Sequence, residues 1–229
     1  MTALVRYELG LLLRSHRWIP PAVLFVLGVA GLSGATLPRG AGLSQGLAWS
    51  ALMLVPVGAW LTRSALVAEP AAARACVAAA GGPGRAQLSA LAAAALVGAV
   101  FGVLGVVWEL ASLGAPRSQV TNTIETGDLL RSLGGGLVAA LICLLVGSAV
   151  AALFNPPLVR RPGAAMLGTT GAVVLALAWN GSPANAAVRS VGYGSAERTW
   201  PAGIAFVTAL ALAVVAWVIS VQVASRRDG

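Results

Sequence analysis

Residues 68–85, AEPAAARACVAAAGGPGR, separate two long apolar runs, and the interpretation of the whole chain depends on them. Glu69 and Pro70 mark a boundary, because proline fits the first turn of a helix and disfavours α conformation in the residue before it. The alanine-rich run that follows has high helix propensity, and the GGPG sequence at residues 81–84 ends it. The sequence predicts a short helix over residues 70–80. Such a helix suits either a contact with a soluble partner or a connector that folds onto its own bundle.

The composition indicates an integral membrane protein with a single domain, residues 1–229. The chain is 58% hydrophobic and only 10% charged, with a mean hydropathy of +0.87. A soluble domain has about 45–50% apolar and about 25% charged residues. The net charge of +8 would favour nucleic acid in a soluble protein, but here the arginines lie between apolar runs, where membrane topology explains them. We therefore expect no nucleic-acid partner. All 15 basic residues are arginine, which together with much alanine and glycine suggests a GC-rich bacterial genome.

Six stretches are long and apolar enough for a membrane span, which needs roughly 20 residues. They are residues 18–37, 43–61, 88–108, 130–153, 163–179 and 200–221. The arginines divide ten to five between the two sides of these spans, and the more basic side is expected to be cytoplasmic, with both termini inside. The ten are Arg6, Arg14, Arg17, Arg63, Arg74, Arg85, Arg160, Arg161, Arg226 and Arg227. The five are Arg39, Arg117, Arg131, Arg189 and Arg198.

The N-terminal residues 1–17 are predicted to form an amphipathic helix in the membrane plane. Arg6, Arg14 and Arg17 share one face, leucines cover much of the rest, and Trp18 follows at the interface. The predicted six-helix bundle covers residues 18–222, and residues 223–229 form a cytoplasmic tail.

Two further segments shape the predicted bundle. Ala94, Gly98 and Gly102 recur every four residues in the third span and predict a close helix contact. Residues 182–192, SPANAAVRSVG, carry a helix start signal and predict a short outer helix, either on the surface or re-entrant.

Catalytic and metal-binding patterns are missing from the sequence. It contains no GxxxxGK[ST] loop, no GxSxG and no HExxH, and His16 is the only histidine. We therefore expect no catalytic residue and no metal or cofactor site in this chain. The span cores also carry no ionisable residue, whereas carriers and channels usually place such residues at mid-membrane. Glu109 comes nearest, directly after Trp108, and is either a solvated interfacial acid or part of an outer gate.

Three phrases carry a resemblance that covers the whole chain: RYELGLLLRSHRW at residues 6–18, EPAAARACVAAAGGPGR at residues 69–85 and SPANAAVRSVG at residues 182–192. With their order around six spans, the chain resembles the permease subunit of an ABC transporter of the type-2 exporter family, as found in actinobacteria. The resemblance implies an all-α membrane protein in the bacterial inner membrane. It also implies that residues 2–17 are a connecting helix and residues 70–80 a cytoplasmic coupling helix between spans two and three.

The same resemblance implies the partners and the energy source. Two copies of a separate ATPase subunit would bind ATP and Mg, and a second permease, identical or related, would complete the transporter. The implied ATPase-coupling residues are Glu69, Pro70, Arg74, Cys76, Val77, Ala78 and Arg85. Arg74 is the one charge within the predicted helix and is expected to contact an acidic site on the ATPase. The short outer loops favour a small amphiphilic, peptide or lipid-like substrate.

Other classes of function compete with this interpretation. A self-sufficient channel or secondary carrier would need intramembrane charges, and a membrane enzyme would need a paired nucleophile and base. A non-transporting membrane scaffold or immunity protein would need neither. A neighbouring gene for a P-loop protein would favour the exporter.

Overall fold

A computed structural model describes residues 1–35, 43–112, 126–159, 161–192 and 202–227 of the chain. Within these ranges the secondary structure is helical, with no β-strand, so the all-α prediction is confirmed. The helices are α1 (Thr2–Arg14), α2 (Ile19–Ala35), α3 (Leu43–Leu66), α4 (Ala71–Gly81), α5 (Pro83–Ser112), α6 (Thr126–Phe154), α7 (Pro162–Ala178), α8 (Pro183–Gly192) and α9 (Ala202–Arg227).

Four of the described helices, α3, α5, α6 and α9, are long and apolar enough to cross a membrane. Helices α7 and α8 are bent by 42° at a short break and together make a fifth candidate span. Helix α2 has 17 residues, which rise about 25 Å, less than the hydrocarbon core of about 30 Å. These helices fit a multi-pass membrane protein, while the number of six spans stays a prediction.

Helix α3 lies at the centre of the bundle. It packs most extensively against α6 and also contacts α5, α8 and α2. In the most apolar stretch of α3, 67% of the residues are buried. In the corresponding stretch of α9 only 28% are buried, and its valines and leucines are largely exposed. Helix α9 therefore has most of its apolar surface available to lipid.

Glycines allow the central helices to approach closely. A Cβ added at Gly147 of α6 would lie 3.0 Å from the amide nitrogen of Ala59 and closer still to the carbonyl oxygen of Val55, both in α3. The predicted small-residue face of α5 also packs within the chain, because Gly98 lies against Leu144 of α6. Close backbone approach of this kind increases the dispersion contact between membrane helices.

Helix α1 is shorter than predicted. It ends at Arg14, and residues 15–18 form a turn in which His16 has a positive φ of 56°. Arg17 therefore lies outside the helix and does not continue its basic face.

Helices α4 and α5 are separated by one residue. Gly82 adopts a positive φ of 84°, which glycine tolerates without the steric cost that a side chain would bring. Pro83 then opens α5, because proline at a first helical position sacrifices no intrahelical hydrogen bond. The GGPG sequence ends α4 as predicted, but the next helix begins five residues before the predicted start at residue 88.

Helix α8 confirms the predicted short helix near residues 182–192. Pro183, Ala184, Ala186 and Ala187 are buried, and the helix contacts α3, α6 and α9. It therefore packs into the bundle as a bent continuation of α7 rather than resting on its surface.

Candidate functional site

Helices α1 and α4 lie at the same end of the bundle, which we call the α4 end. It comprises α1, α4, the last turns of α3, α6 and α9, and the first turns of α5 and α7. Hydrogen bonds connect these parts: Arg63 in α3 donates to Oδ1 of Asn155 at 3.1 Å, and Gln87 in α5 donates to Oγ of Ser220 in α9 at 2.9 Å. The opposite end carries the first turns of α3 and α6 and the last turn of α5.

Helix α1 is attached to the short segment between α3 and α4. Tyr7 donates a hydrogen bond to Oε1 of Glu69 at 2.9 Å, and Arg17 donates to the carbonyl oxygen of Val67 at 2.8 Å. Leu12 is fully buried in a cluster that includes Leu66. The two hydrogen bonds therefore couple α1 and the turn after it to the α3–α4 segment, and the apolar cluster joins α1 to the end of α3.

Arg74 contacts its own chain. It is half-buried, and its guanidinium donates to the carbonyl oxygen of Leu66 at the end of α3. The sequence predicted this side chain as an exposed anchor for a partner. In the structure it holds α4 against α3, so part of its hydrogen-bonding capacity is used within the chain.

Glu8 on α1 is buried beside this cluster, with 4% of its surface exposed. Burial, and to a lesser extent the negative charge of Glu69, raise the pKa of Glu8 to about 7, although the positive charge of Arg74 lowers it. The hydrogen bond to Glu69 also raises the pKa of Tyr7. The α4 end therefore contains an acid whose charge changes near neutral pH.

The exposed side chains of α4 form one continuous face. Their spacing is i, i+3, i+4, i+7 and i+8, so they lie in one stripe along the helix. These residues are Ala72, Ala75, Cys76, Ala79 and Ala80. We call them the alanine face. All five are small, so the backbone of α4 is accessible to a close neighbour along about two and a half turns.

The predicted coupling residues are divided between the two sides of this helix. Cys76 belongs to the alanine face, and Pro70 and Arg85 are exposed at either side of α4. Glu69 is buried, and a further set is partly buried on the covered side of the helix, namely Arg74, Val77 and Ala78. The sequence prediction missed the four alanines of the alanine face, because a run of alanines does not mark which face is covered. The larger side chains at 74 and 77 were the available signal.

The predicted membrane-interface residues lie on the outside of the α4 end. Arg6 and Arg14 are exposed on α1, Arg17 is exposed in the turn that follows, and Trp18 is partly buried. Glu8 and Leu12 point to the opposite, covered side. Helix α1 therefore presents a basic face outward and an inward face with one acid, which is consistent with a helix lying along a membrane surface.

A buried amide joins three helices below α4. The side chain of Asn155 is fully buried, and its Nδ2 donates to the carbonyl oxygen of Ala151 at 2.9 Å and to Oγ1 of Thr169 in α7 at 3.2 Å. Its Oδ1 accepts from Arg63 in α3. Because buried polar groups are costly to leave unpaired, this amide fixes the relative positions of α3, α6 and α7.

Glu109 is buried at the opposite end, with 4% of its surface exposed. It packs against Gly46 of α3, where an added Cβ would lie 2.8 Å from Cδ of the carboxyl group. The interpretation of Glu109 as a solvated surface acid is therefore wrong, because α3 covers it. The role in an outer gate stays a prediction.

The described part of the chain holds no group of three His, Cys, Asp or Glu side chains that could bind a metal ion. Comparisons of the chain with protein-family models, with curated proteins and with solved structures find no match.

Proposed function

We propose that this chain is the membrane-spanning permease subunit of an ATP-driven ABC exporter of the type-2 family. It moves a small amphiphilic, peptide or lipid-like substrate out of a bacterial cell through the inner membrane. The observation that carries this proposal is the alanine face of α4, a short helix held at one end of an apolar bundle with its small side chains exposed.

The alanine face suits a groove on a soluble ATPase. Small side chains allow a partner to approach the helix backbone closely, and closely packed surfaces exchange many weak dispersion contacts. The α4 end faces the cytoplasm in this proposal, in agreement with the count of arginines. ATP and Mg bind to two copies of the ATPase, and this chain supplies no catalytic residue and no cofactor. A second permease, identical or related, completes the transporter.

The connections of α4 support a transmitting role. Gly82 alone separates α4 from α5, whose 30 residues extend for about 45 Å. On the other side, Arg74 connects α4 to the end of α3, and Glu69 connects the preceding segment to α1. A displacement of α4 by the ATPase would therefore act on α1, α3 and α5 together, as alternating access requires.

The test uses bulky substitutions on the alanine face. The chain is co-expressed with a P-loop ATPase encoded beside it, and complex formation and ATP turnover are measured for Ala75→Trp and Ala79→Trp. Steric overpacking costs about 1–3 kcal/mol, so binding should weaken by about 5-fold to 150-fold while the chain still folds. Ala164→Trp is the matched control, because Ala164 is an exposed alanine at the same end but in α7.

The result that contradicts the proposal is normal binding and turnover by both α4 variants. Arg74→Glu is less suitable for this test, because it also breaks the internal hydrogen bond to Leu66. A loss of binding with Ala164→Trp as large as with the α4 variants would place the contact elsewhere on the α4 end.

A further inference from the structure

A cavity of about 450 Å³ lies near the opposite end of the bundle, between α3 and the bent pair α7–α8. This volume is within the range of about 300–1,000 Å³ that small-molecule sites occupy. The last turn of α7 and the break after it form part of its wall, through Leu177 and Asn180 respectively. The cavity therefore lies beside the interruption of a candidate span.

The two walls of the cavity differ in chemistry. Helix α3 contributes side chains spaced four and then three residues apart, which therefore lie on one face of the helix. Gln45 is polar, whereas Trp49 and Leu52 are apolar. The facing wall from α7 and α8 carries three polar side chains: Asn180, Asn185 and Arg189. Arg189 donates to Oδ1 of Asn180 at 3.4 Å and gives this wall a positive charge. No acidic residue is among the described residues that line the cavity.

Asn185 has an acceptor that the described protein atoms do not satisfy. Its Nδ2 donates to the carbonyl oxygen of Leu177 at 2.8 Å, which fixes the orientation of the amide. Its Oδ1 is buried and accepts no hydrogen bond from the part of the chain that the structure describes. A buried acceptor without a partner costs about 1–3 kcal/mol, so a ligand that brings an O–H or N–H donor to Asn185 gains from satisfying it.

The depth of the cavity agrees with a boundary position in the membrane. Helix α7 has 17 residues and rises about 25 Å from the α4 end, so Trp179 and Asn180 lie near the far side of a hydrocarbon core of about 30 Å. An exposed Trp179 at this level is typical of the membrane interface. At this depth in a membrane, the polar lining of the cavity lies level with the lipid headgroups and its apolar lining lies level with the acyl chains.

The geometry points to a binding site for a lipid-like amphiphile whose anionic phosphate head also carries a hydroxyl or amine donor. The head lies against Asn180, Asn185 and Arg189, where the positive charge attracts the phosphate and Oδ1 of Asn185 accepts the donor. The apolar part lies against Trp49 and Leu52. This site does not depend on the ATPase, because binding requires only the membrane chain.

The test measures binding of short-chain dioctanoyl phosphatidylglycerol to the purified full-length chain in detergent, by native mass spectrometry. Saturable binding is expected, and Asn185→Leu should weaken it about tenfold because it removes the acceptor. Val188→Trp should weaken it at least as much, because the indole fills the cavity that Val188 lines. Val174→Trp is the matched control, because Val174 is an exposed valine of α7 outside the cavity.

Two further probes separate the sources of the phosphate. Glycerol 3-phosphate carries the head without the chains, and dioctanoylglycerol carries the chains without the phosphate. If both compounds bind more weakly than phosphatidylglycerol, the site takes an amphiphile. If glycerol 3-phosphate binds as strongly as phosphatidylglycerol, the site takes free phosphate compounds instead. The inference is overturned if the binding of phosphatidylglycerol does not saturate. It is also overturned if Val188→Trp and Asn185→Leu bind this lipid as strongly as Val174→Trp does.

Discussion

The contact of Gly147 with α3 leads to a prediction about stability. A Cβ at this position would lie 3.0 Å from the amide nitrogen of Ala59 and nearer to the carbonyl oxygen of Val55. Favourable contacts between heavy atoms lie at about 3.5–4.0 Å, so α6 and α3 must separate in Gly147→Ala. A local gap of about 0.5–1 Å forfeits a quarter to a half of the dispersion energy of the contacts that it opens. Because α3 is central and α6 is its main neighbour, this loss affects the largest helix contact in the bundle.

The magnitude follows from two opposing effects. Overpacking costs about 1–3 kcal/mol, and replacing a helical glycine with alanine returns about 1 kcal/mol of helix propensity, which leaves a net cost of up to about 2 kcal/mol. Each kcal/mol shifts the unfolding temperature of a chain of this size by about 2–4 °C, so Gly147→Ala should lower it by up to roughly 8 °C. Thermal unfolding in detergent, at one fixed scan rate, measures the shift.

Gly171→Ala provides the matched control for this experiment. A Cβ at Gly171 of α7 meets no atom within 4 Å, so only helix propensity acts there. We expect an unchanged or slightly raised unfolding temperature. If Gly147→Ala unfolds at the same temperature as Gly171→Ala, the close backbone approach of α6 and α3 is refuted.

Three further predictions concern charge, buried polarity and topology. Folding raises the pKa of Glu8 from 4.5 to about 7, so the protonated carboxyl contributes stability that is fully present below pH 4.5 and is lost as the pH rises through 7. The unfolding temperature should therefore decline between pH 5 and pH 8, and this decline should be flatter in Glu8→Gln. Asn155→Ala should lower the free energy of unfolding by about 1–3 kcal/mol, because it leaves buried hydrogen-bond partners unpaired. Gln222→Ala is the control and should cost little, because Gln222 is exposed. Equal falls in unfolding temperature for the two variants would show that the buried network is unimportant. An impermeant thiol reagent should label exposed Cys76 only in lysed cells and Ala111→Cys in intact cells, and labelling of Cys76 from outside would reverse the proposed orientation.

The candidate site could be predicted in outline from residues 68–85. The alanine run and the glycines after it are local signals, and the structure has a helix there with bounds that differ by one residue. The alanines themselves did not mark which side of that helix faces the chain, because the seven alanines of residues 71–80 differ only in what packs against them. Cys76 is exposed and Arg74 is half-buried two positions away, and only the contact of Arg74 with Leu66 explains this difference.

Burial of the acidic residues shows a second limit of the sequence. Glu8 lies in a basic helix and Glu109 follows a tryptophan, so both look like surface residues in a one-dimensional pattern. Both have only 4% of their surface exposed, because another segment of the chain covers them. In each instance the neighbouring residues are distant in sequence: Glu69 and Arg74 act on the pKa of Glu8, and Gly46 lies against Glu109.

The sequence by itself determined the helical class, the apolar segments and the short helices α4 and α8, because hydropathy and helix propensity act over a few neighbouring residues. The tertiary structure decided which surfaces meet. Tyr7 and Glu69 are 62 positions apart, and Gln87 and Ser220 are 133 positions apart, yet each pair is joined by a hydrogen bond. The need for glycine at Gly147, the covered side of α4 and the cavity beside α8 all arise from such distant contacts. Their energies depend on the packing of whole helices, which no local window of the sequence contains.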